Sequence, residues 1–290
     1  FDPGAESLQR INISAGDSVS LEQSTNGMWQ ISSPSKLPAD EELVFALLGR
    51  LRNMEAVSRE REVVRDFSAF GLAQPTAQYT LLQRGGTNAI LGQISFGAPA
   101  GETSEELFAR RFDEDSVYRV RAVERQLLPA YSYQLRQRRF WDFPAKAVTK
   151  ITLTQGEQSL ELLRNQDGEW TRTGQSLTDD QREKIPTALG ALGRLQAARW
   201  TARGADKLAT YEIIQRKKSV TLELQHNGQT LTRKIQFGKQ SELFNYFAFA
   251  TDPLEQEAVV FECPLNTYNA CEIILFPLLT PALPNSGTDQ

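Results

Sequence analysis

The residues of this sequence that could do chemistry are few. His226 is the only histidine among 290 residues, and it stands in Gln-His-Asn-Gly, a pattern typical of a tight hairpin turn. A catalytic histidine needs a partner that orients it and a pocket that holds the substrate. Because no second histidine is available for a triad or a metal site, we predict that His226 is an exposed turn residue.

Two other segments resemble binding motifs but lack their essential residues. Arg84-Gly85-Gly86-Thr87 has no Lys-Ser/Thr pair to reach phosphate and metal, and it joins two predicted strands instead of opening a helix. Asp113-Glu114-Asp115 lacks the alternating ligands and the glycine of a calcium loop. We expect the first to be a hairpin turn and the second to be a solvated turn.

The sequence therefore favours a protein that is not an enzyme. No motif for a cofactor or a metal ion is present, so neither is expected. A hydrolase with dispersed carboxylates stays open as an alternative, because the spacing of such a carboxylate pair exists only in three dimensions.

Cys263 and Cys271 are the only cysteines, and they lie close together near the C-terminus. Proline and asparagine residues between them favour a turn, so a local disulfide fits this spacing. Two buried free thiols fit it equally well, because a cysteine without a disulfide is often a core residue. Both alternatives stay open at this point.

Charge and hydropathy exclude several classes of partner. The chain has 32 basic and 36 acidic residues, mixed along its length, for a net charge of −4. Nucleic-acid binding needs a concentrated cationic face, so no nucleic-acid partner is expected. The apolar run Ile273–Leu279 is too short to span a bilayer and contains a proline. We expect a soluble chain, with any signal peptide or membrane anchor upstream of Phe1.

Short patterns near several strands have ordinary structural interpretations. The basic cluster Arg136, Arg138 and Arg139 is expected to make ion pairs beside buried aromatic residues, and Arg216-Lys217-Lys218 is expected to be the polar edge of a strand. The steps Phe96-Gly97 and Phe237-Gly238 are interpreted as strand ends where glycine permits a bend.

The elements that must position these residues occur twice, with a shift of about 140 residues. Asn26-Gly27-Met28-Trp29 matches Asp167-Gly168-Glu169-Trp170, and Ile94-Ser95-Phe96-Gly97 matches Ile235-Gln236-Phe237-Gly238. Several further matches follow in the same order. The period is longer than a solenoid repeat, so it indicates a duplicated domain.

Each copy is predicted to open with short alternating strands that are followed by an amphipathic helix. The helices are expected over Asp40–Asn53 and Asp179–Leu195, the second with Thr178 as its N-cap. We therefore predict an α+β fold, in which two tandem copies of a domain each have an antiparallel or mixed sheet packed by one main helix.

The domain boundaries follow from this repeat. Residues 1–144 are expected to form the first domain, residues 145–279 a second, diverged domain, and residues 280–290 a flexible tail. The segment Arg136–Pro144 marks the junction. It is too aromatic for a mobile linker, so its aromatic residues are predicted to form an interdomain seam: Phe140, Trp141 and Phe143.

The first copy resembles a known family. The segment Asp66–Pro75, followed by a strand and Phe96-Gly97, is similar to the domain-of-unknown-function 4340 family, and so are Val117–Val120 and the Arg138–Phe143 junction. The resemblance implies a bacterial envelope protein with an N-terminal membrane helix, often encoded beside ABC transporters of the gliding-motility type. It implies no catalytic residues.

These observations favour an interaction or scaffold module of an ABC-type transport or envelope machine. The resemblance places it at the extracytoplasmic face of the inner membrane, tethered through an upstream anchor, with transport or envelope proteins as partners. The alternative is a ligand-binding protein that uses the cleft between the two copies, because sites often form at domain interfaces.

Overall fold

The computed structural model describes residues 8–83, 89–101, 105–139, 141–172, 177–250 and 258–280. The chain divides into two compact units, Phe1–Gln137 and Arg138–Gln290, called unit 1 and unit 2 below. The boundary between them therefore precedes the Pro144 boundary expected from the sequence. Residues 281–290 of the expected tail lie outside the described residues.

Unit 1 is built on one antiparallel sheet. Within the described residues this sheet has nine strands, in the order β4-β3-β2-β1-β6-β7-β8-β9-β5. The strands are β1 Leu8–Ser14, β2 Ser18–Gln23, β3 Trp29–Ser33, β4 Leu37–Pro38, β5 Ser58–Arg61, β6 Ala77–Gln83, β7 Ile90–Pro99, β8 Glu106–Arg111 and β9 Val117–Arg121.

One face of this sheet is covered by helix α1 (Glu41–Arg52). The helix begins after Asp40, whose carboxylate accepts a hydrogen bond from the backbone N–H of Leu43 at 3.2 Å, as an N-cap does. Its buried side chains join the inward alternating residues of the strands in one apolar core. This core includes Ile11, Leu21, Ile31, Val44, Leu47, Leu51, Leu81 and Phe96.

Within the described residues, the opposite face of the unit 1 sheet is covered at one end only. A 3₁₀ turn, Ser68–Phe70, and the residues around it pack there in a second apolar cluster with Leu72 and Val117. Phe70 meets Phe108 of β8 edge to face, with ring centroids 5.0 Å apart. The short helix α2 (Ala122–Gln126) follows β9.

Unit 2 is also built on one antiparallel sheet. Within the described residues it has eight strands, in the order β12-β11-β10-β14-β15-β16-β17-β13. The strands are β10 Val148–Gln155, β11 Gln158–Arg164, β12 Trp170–Arg172, β13 Arg199–Arg203, β14 Lys218–His226, β15 Gln229–Gln240, β16 Tyr246–Ala250 and β17 Val259–Cys263.

Helix α3 (Asp179–Gly193) is the long helix of unit 2. Its predicted N-cap is confirmed: the hydroxyl of Thr178 accepts a hydrogen bond from the Gln181 backbone N–H at 3.2 Å, and the Gln181 side chain accepts one from the Thr178 N–H at 3.0 Å. Helix α6 (Leu265–Ala270) and a π-helical turn, Cys271–Leu275, pack beside α3.

The other face of the unit 2 sheet carries two short helices, α4 (Lys207–Thr210) and α5 (Ile213–Arg216). They bury Ile213 with Ala202 and Val260 in a separate apolar cluster. A last 3₁₀ turn, Phe276–Leu279, ends the described part of the chain near β10 and β11.

The prediction of an α+β fold, with one main helix packing each sheet, is wrong. Strands contain 43% of the described residues and helices 26%, and both large sheets are entirely antiparallel. The sequence pattern predicts an antiparallel or mixed sheet with one main helix in each copy, whereas hairpins far apart in sequence join one large antiparallel sheet in each unit. β5 pairs with β9 and β13 pairs with β17, so strands that lie near the helix in sequence become the sheet edges.

Candidate interaction surface

An open cleft of about 760 Å³ lies at one edge of the unit 1 sheet. It is lined by residues from the start of β5, the start of β8 and helix α2 with the residue that precedes it. These residues are Val57, Glu105, Glu106, Arg121, Ala122, Val123 and Gln126.

The cleft adjoins the edge strand β5. In the described part of the chain β5 pairs with β9 alone, so its second side carries backbone groups that no described strand pairs with. The backbone N–H of Val57 donates to the carbonyl of Arg119 at 2.8 Å, which extends the edge by one residue toward the cleft. An extended peptide that added to β5 would therefore bring its side chains to the cleft.

Apolar side chains give the cleft a surface that a partner could bury. Val57 and Val123, which line the cleft, are 51% and 47% exposed, and Leu127, which follows helix α2 outside the lining, is 49% exposed. Val123 and Leu127 lie four residues apart, and the N–H of Leu127 donates to the carbonyl of Val123, so their side chains share one helical face. Exposed apolar residues that cluster in this way mark interaction sites more often than single ones do.

Charged residues limit what can pair with this edge. The Nε atom of Arg119 lies 2.6 Å from a carboxylate oxygen of Glu60, and its Nη1 atom lies 3.6 Å from Glu106. The hydrogen bond that Arg119 donates to the Glu60 carboxylate is the main cause that raises the pKa of the Arg119 guanidinium. β5 is also only four residues long, and its register shifts between Arg59 and Arg61. These features discourage pairing with arbitrary edges, so a partner must match the local charge and shape.

A cluster of chemistry-bearing side chains lies in unit 2, around Lys218. This lysine is 8% exposed, its ammonium pairs with the carboxylate of Glu272, and it lies 4.4 Å from the centre of the Phe276 ring. The hydroxyl of Tyr268 is 3.4 Å away. The prediction that Arg216-Lys217-Lys218 is the polar edge of a strand is therefore wrong for Lys218, which is buried.

The surroundings of Tyr268 and Lys218 favour a neutral tyrosine hydroxyl beside the Lys218–Glu272 ion pair. Burial is the first cause that raises the pKa of Tyr268, and the neighbouring Glu272 carboxylate raises it further. Tyr268 therefore keeps its proton at neutral pH, and its ring stacks on Tyr246 with centroids 3.5 Å apart. We interpret the Lys218–Glu272 pair as a link that fastens the segment after β17 to β14.

Strand register offers the signal that could have revealed this lysine. Lys218 stands opposite Phe237 in the β14–β15 ladder, and Ala77 stands opposite Phe96 in the β6–β7 ladder. Ala77 is fully buried. Because unit 1 buries an alanine at this position, a lysine at the same position in unit 2 is predicted to be buried as well, with its ammonium paired to another group.

Both cysteines are buried, and the structure contains them as free thiols. Cys263 ends β17, and Cys271 begins the π-helical turn. Burial raises the pKa of the Cys271 thiol to about 12 and raises the pKa of the Cys263 thiol well above its ordinary value. Thiols in such surroundings are poor nucleophiles.

The remaining candidate residues lie apart from the cleft. His226 is exposed at the end of β14, next to a two-residue turn in which Asn227 and Gly228 have φ of 49° and 77°. Asp113 pairs with Arg111 at 2.6 Å in the turn between β8 and β9. The segment 84–87 lies outside the described residues.

Two of the three aromatic residues of the expected seam, Trp141 and Phe143, are part of unit 2 and make backbone hydrogen bonds within it. Trp141 is buried, and its N–H donates to the carbonyl of Leu195 at 3.3 Å. The N–H of Phe143 donates to the carbonyl of Gly193 at 3.0 Å. Phe140 lies outside the described residues. The place of these side chains between the two domains stays a prediction.

No helix in the described ranges combines the length and the apolar character that crossing a bilayer requires. Within the same ranges, no three or more His, Cys, Asp or Glu side chains are grouped so that they could hold a metal ion.

Comparison with known proteins gives one match. A family model with the description "Domain of unknown function (DUF4340)" matches residues 29–201, from the start of β3 into β13. No curated protein and no solved structure matches the chain.

Proposed function

The chain belongs to the DUF4340 family, and we propose that it is a non-enzymatic interaction module that binds an extended segment of a partner protein at the β5 edge of unit 1. The observation that carries the proposal is the coincidence of an edge strand with a cleft whose mixed lining includes the exposed side chains of Val57 and Val123. Main-chain hydrogen bonds to β5 would supply affinity, and the cleft would select the side chains of the bound segment.

The proposal includes a duplicated architecture. Its support is the strand order: β3-β2-β1-β6-β7-β8-β9-β5 of unit 1 corresponds strand by strand to β12-β11-β10-β14-β15-β16-β17-β13 of unit 2. The long helices also occupy matching places in the sequence: α1 lies between β3 and β5, and α3 lies between β12 and β13. On this view unit 2 is a diverged copy that supports the binding unit.

The compartment and the machine are part of the same proposal. The module would lie at the extracytoplasmic face of the inner membrane, tethered through a segment upstream of Phe1, and would serve an ABC-type transport or envelope machine. The support for this placement is the family resemblance of the Asp66–Pro75 segment and the strands that follow it.

A photo-crosslinking experiment tests the binding edge. A photoreactive amino acid is placed at Val57 or at Val123 in the full-length protein, in the cells that produce it. Each should yield one discrete crosslinked protein, the same at both positions, because both side chains line the cleft. The change Val57→Asp, combined with the crosslinker at Val123, should abolish that product, because a partner would have to bury the added carboxylate.

Val63 provides the matched control. It is also an exposed valine of unit 1, 71% exposed, and it is not part of the cleft lining. The photoreactive residue at Val63 should give no such product, and Val63→Asp should leave crosslinking from Val123 unchanged. Equal crosslinking from all three positions, or none from Val57 and Val123, would overturn the proposal.

A further inference from the structure

The part of the second face of the unit 1 sheet that no described element covers forms a shallow polar groove of about 280 Å³. Nine residues line it, and the side chains of Ile13 and Val19 among them are buried in the core. The other seven have uncharged polar side chains. These are Asn12, Ser14, Ser18, Ser20, Ser33, Gln78 and Thr80.

The polar side chains are arranged in a row that crosses five neighbouring strands. Strand register places Ser33, Ser20, Asn12, Thr80 and Gln93 side by side. At the usual spacing of adjacent strands the row is roughly 19 Å long, which suits an elongated ligand. The side chains fix one another: the Ser20 hydroxyl donates to Asn12 at 2.9 Å, and the Thr80 hydroxyl donates to Gln93 at 3.1 Å.

The corresponding row in unit 2 is charged. There the register aligns Glu161, Thr152, Thr221 and Lys234, so Glu161 and Lys234 occupy the positions that Ser20 and Gln93 occupy in unit 1. Lys150 also pairs with Glu161 at 2.7 Å beside this row. Unit 1 also has an ion pair on this face, Arg10–Glu22 at 3.0 Å, but no charged residue stands in the row itself, and this uncharged row calls for an explanation.

The chemistry of the groove selects one class of ligand. No described lysine or arginine lines it to neutralise a phosphate or a sulfate, and the two apolar residues of its lining, Ile13 and Val19, are buried in the core. The strands beneath already pair on both sides, so a peptide cannot add to them as a further strand. Hydroxyls and amides, each able to donate and accept, match the hydroxyl groups of a neutral sugar polymer.

An aromatic ring lies beside the turn that joins two strands of the groove. Tyr131 is 41% exposed and packs on Gly16, in the turn that joins Ser14 to Ser18, where a Cβ atom would lie only 2.3 Å from the ring. The carboxylate of Asp17 in that turn accepts hydrogen bonds from Ser132 at 3.0 and 3.1 Å and holds the tyrosine segment in place. A tyrosine side chain has an apolar ring and a polar hydroxyl, so it suits a ligand that has one hydrated side and one apolar side.

From these observations we propose that the polar face of the unit 1 sheet binds a neutral polysaccharide chain. This site is separate from the β5 edge, so the proposed sugar binding and the proposed protein interaction can be tested independently of each other. The ligand lies across the strands, receives hydrogen bonds from the row of hydroxyl and amide groups, and contacts Tyr131 at one end.

Calorimetric titration of the full chain tests the proposal. The probes are neutral oligosaccharides, namely cello-, malto- and chito-oligosaccharides of several sugars, with polygalacturonate as the anionic comparison. At least one neutral probe should bind and polygalacturonate should not. The double change Ser20→Glu with Gln93→Lys reproduces the unit 2 pattern and should weaken binding at least about tenfold, because ligand binding would desolvate both charges.

Glu161→Ser in unit 2 is the matched control and should leave the affinity unchanged. Amide chemical-shift mapping of the unmodified protein gives a second measurement that does not depend on variants, and the shifts should concentrate at Asn12, Ser20 and Thr80. The proposal is overturned if no neutral probe binds, if polygalacturonate binds more tightly, or if the shifts fall elsewhere.

Discussion

The carbonyl oxygen of Tyr211 lies 2.1 Å from the position that a Cβ atom on Gly238 would occupy. The same oxygen accepts a hydrogen bond from the backbone N–H of Lys239 at 3.0 Å. In unit 1 the carbonyl of Phe70 lies 2.2 Å from the corresponding position on Gly97. Both glycines lie inside strands, so the prediction that they end strands is wrong. They are required because a helical turn packs its backbone directly on the sheet.

Alanine at these glycines should destabilise the protein. Gly238→Ala and Gly97→Ala each force a methyl group against a carbonyl, and the expected loss of unfolding free energy is about 1–3 kcal/mol or more. Urea denaturation followed by circular dichroism measures the change.

Two helical glycines serve as controls for that measurement. An added Cβ at Gly49 or Gly190 meets nothing within 4 Å. Gly49→Ala and Gly190→Ala should therefore raise the unfolding free energy by roughly 0.5–1 kcal/mol, because alanine loses less entropy in a helix. If Gly238→Ala behaved like Gly190→Ala, the close backbone contact would be refuted.

The two cysteines should be unreactive in the native protein. At pH 8, without reductant, an aromatic disulfide reagent should label neither Cys263 nor Cys271, because both thiols are buried and their pKa values are raised. In urea the reagent should label both. Absence of labelling in urea would show that a disulfide joins them and would contradict the free thiols of the structure.

Stability should decrease at alkaline pH in a way that depends on Cys271. Burial raises the pKa of its thiol from 9.0 to about 12. The unfolded chain therefore releases this proton first, so the contribution is complete below pH 9 and is lost as the pH rises toward 12. Over that window Cys271→Ala should reduce the fall in unfolding free energy by about 1.4 kcal/mol per pH unit. An unchanged slope in the variant would show that another group is responsible.

The Lys218–Glu272 pair should show strong coupling. Glu272→Met leaves a buried ammonium without its carboxylate, and we expect it to cost roughly 1–3 kcal/mol. Lys218→Met combined with Glu272→Met should recover most of that loss, because apolar side chains can replace an enclosed ion pair. Four denaturation curves, for the wild type, both single variants and the double variant, give the coupling energy.

Lys217 offers a matched control one residue away. Its ammonium pairs with Glu157, and both side chains are more than half exposed. Lys217→Met should change the unfolding free energy by less than about 1 kcal/mol, because exposed pairs contribute little. If Lys218→Met and Glu272→Met were simply additive, the interpretation of this pair as a fastening link would fail.

Local features of the fold were predictable from the sequence. The N-cap at Thr178 needs only the residues that follow it, and the Asn227-Gly228 turn needs only the two strands that flank it. Such signals lie within a few residues of the structure they specify, so one sequence is sufficient to detect them.

The overall class was not predictable in the same way. The pairing of β5 with β9 joins Ser58 to Arg119, and the pairing of β13 with β17 joins Arg199 to Glu262. Edge strands of this kind are short and charged, and nothing local distinguishes them from loops. The enclosed Lys218 was missed for a related reason, because its partner Glu272 is supplied by a segment more than fifty residues later.

The late pairing of the edge strands has a consequence for the order in which the chain folds during synthesis. β5 is translated before β6 but cannot join its sheet until β9 has left the ribosome, and β13 waits for β17 in the same manner. Each sheet therefore closes only with its last strand, and such non-local closure is slow. Because β9 ends at Arg121, the first sheet has all its strands before any strand of the second is made. The nascent chain can thus fold its halves one after the other, which limits the time during which both present unpaired strands to neighbouring chains.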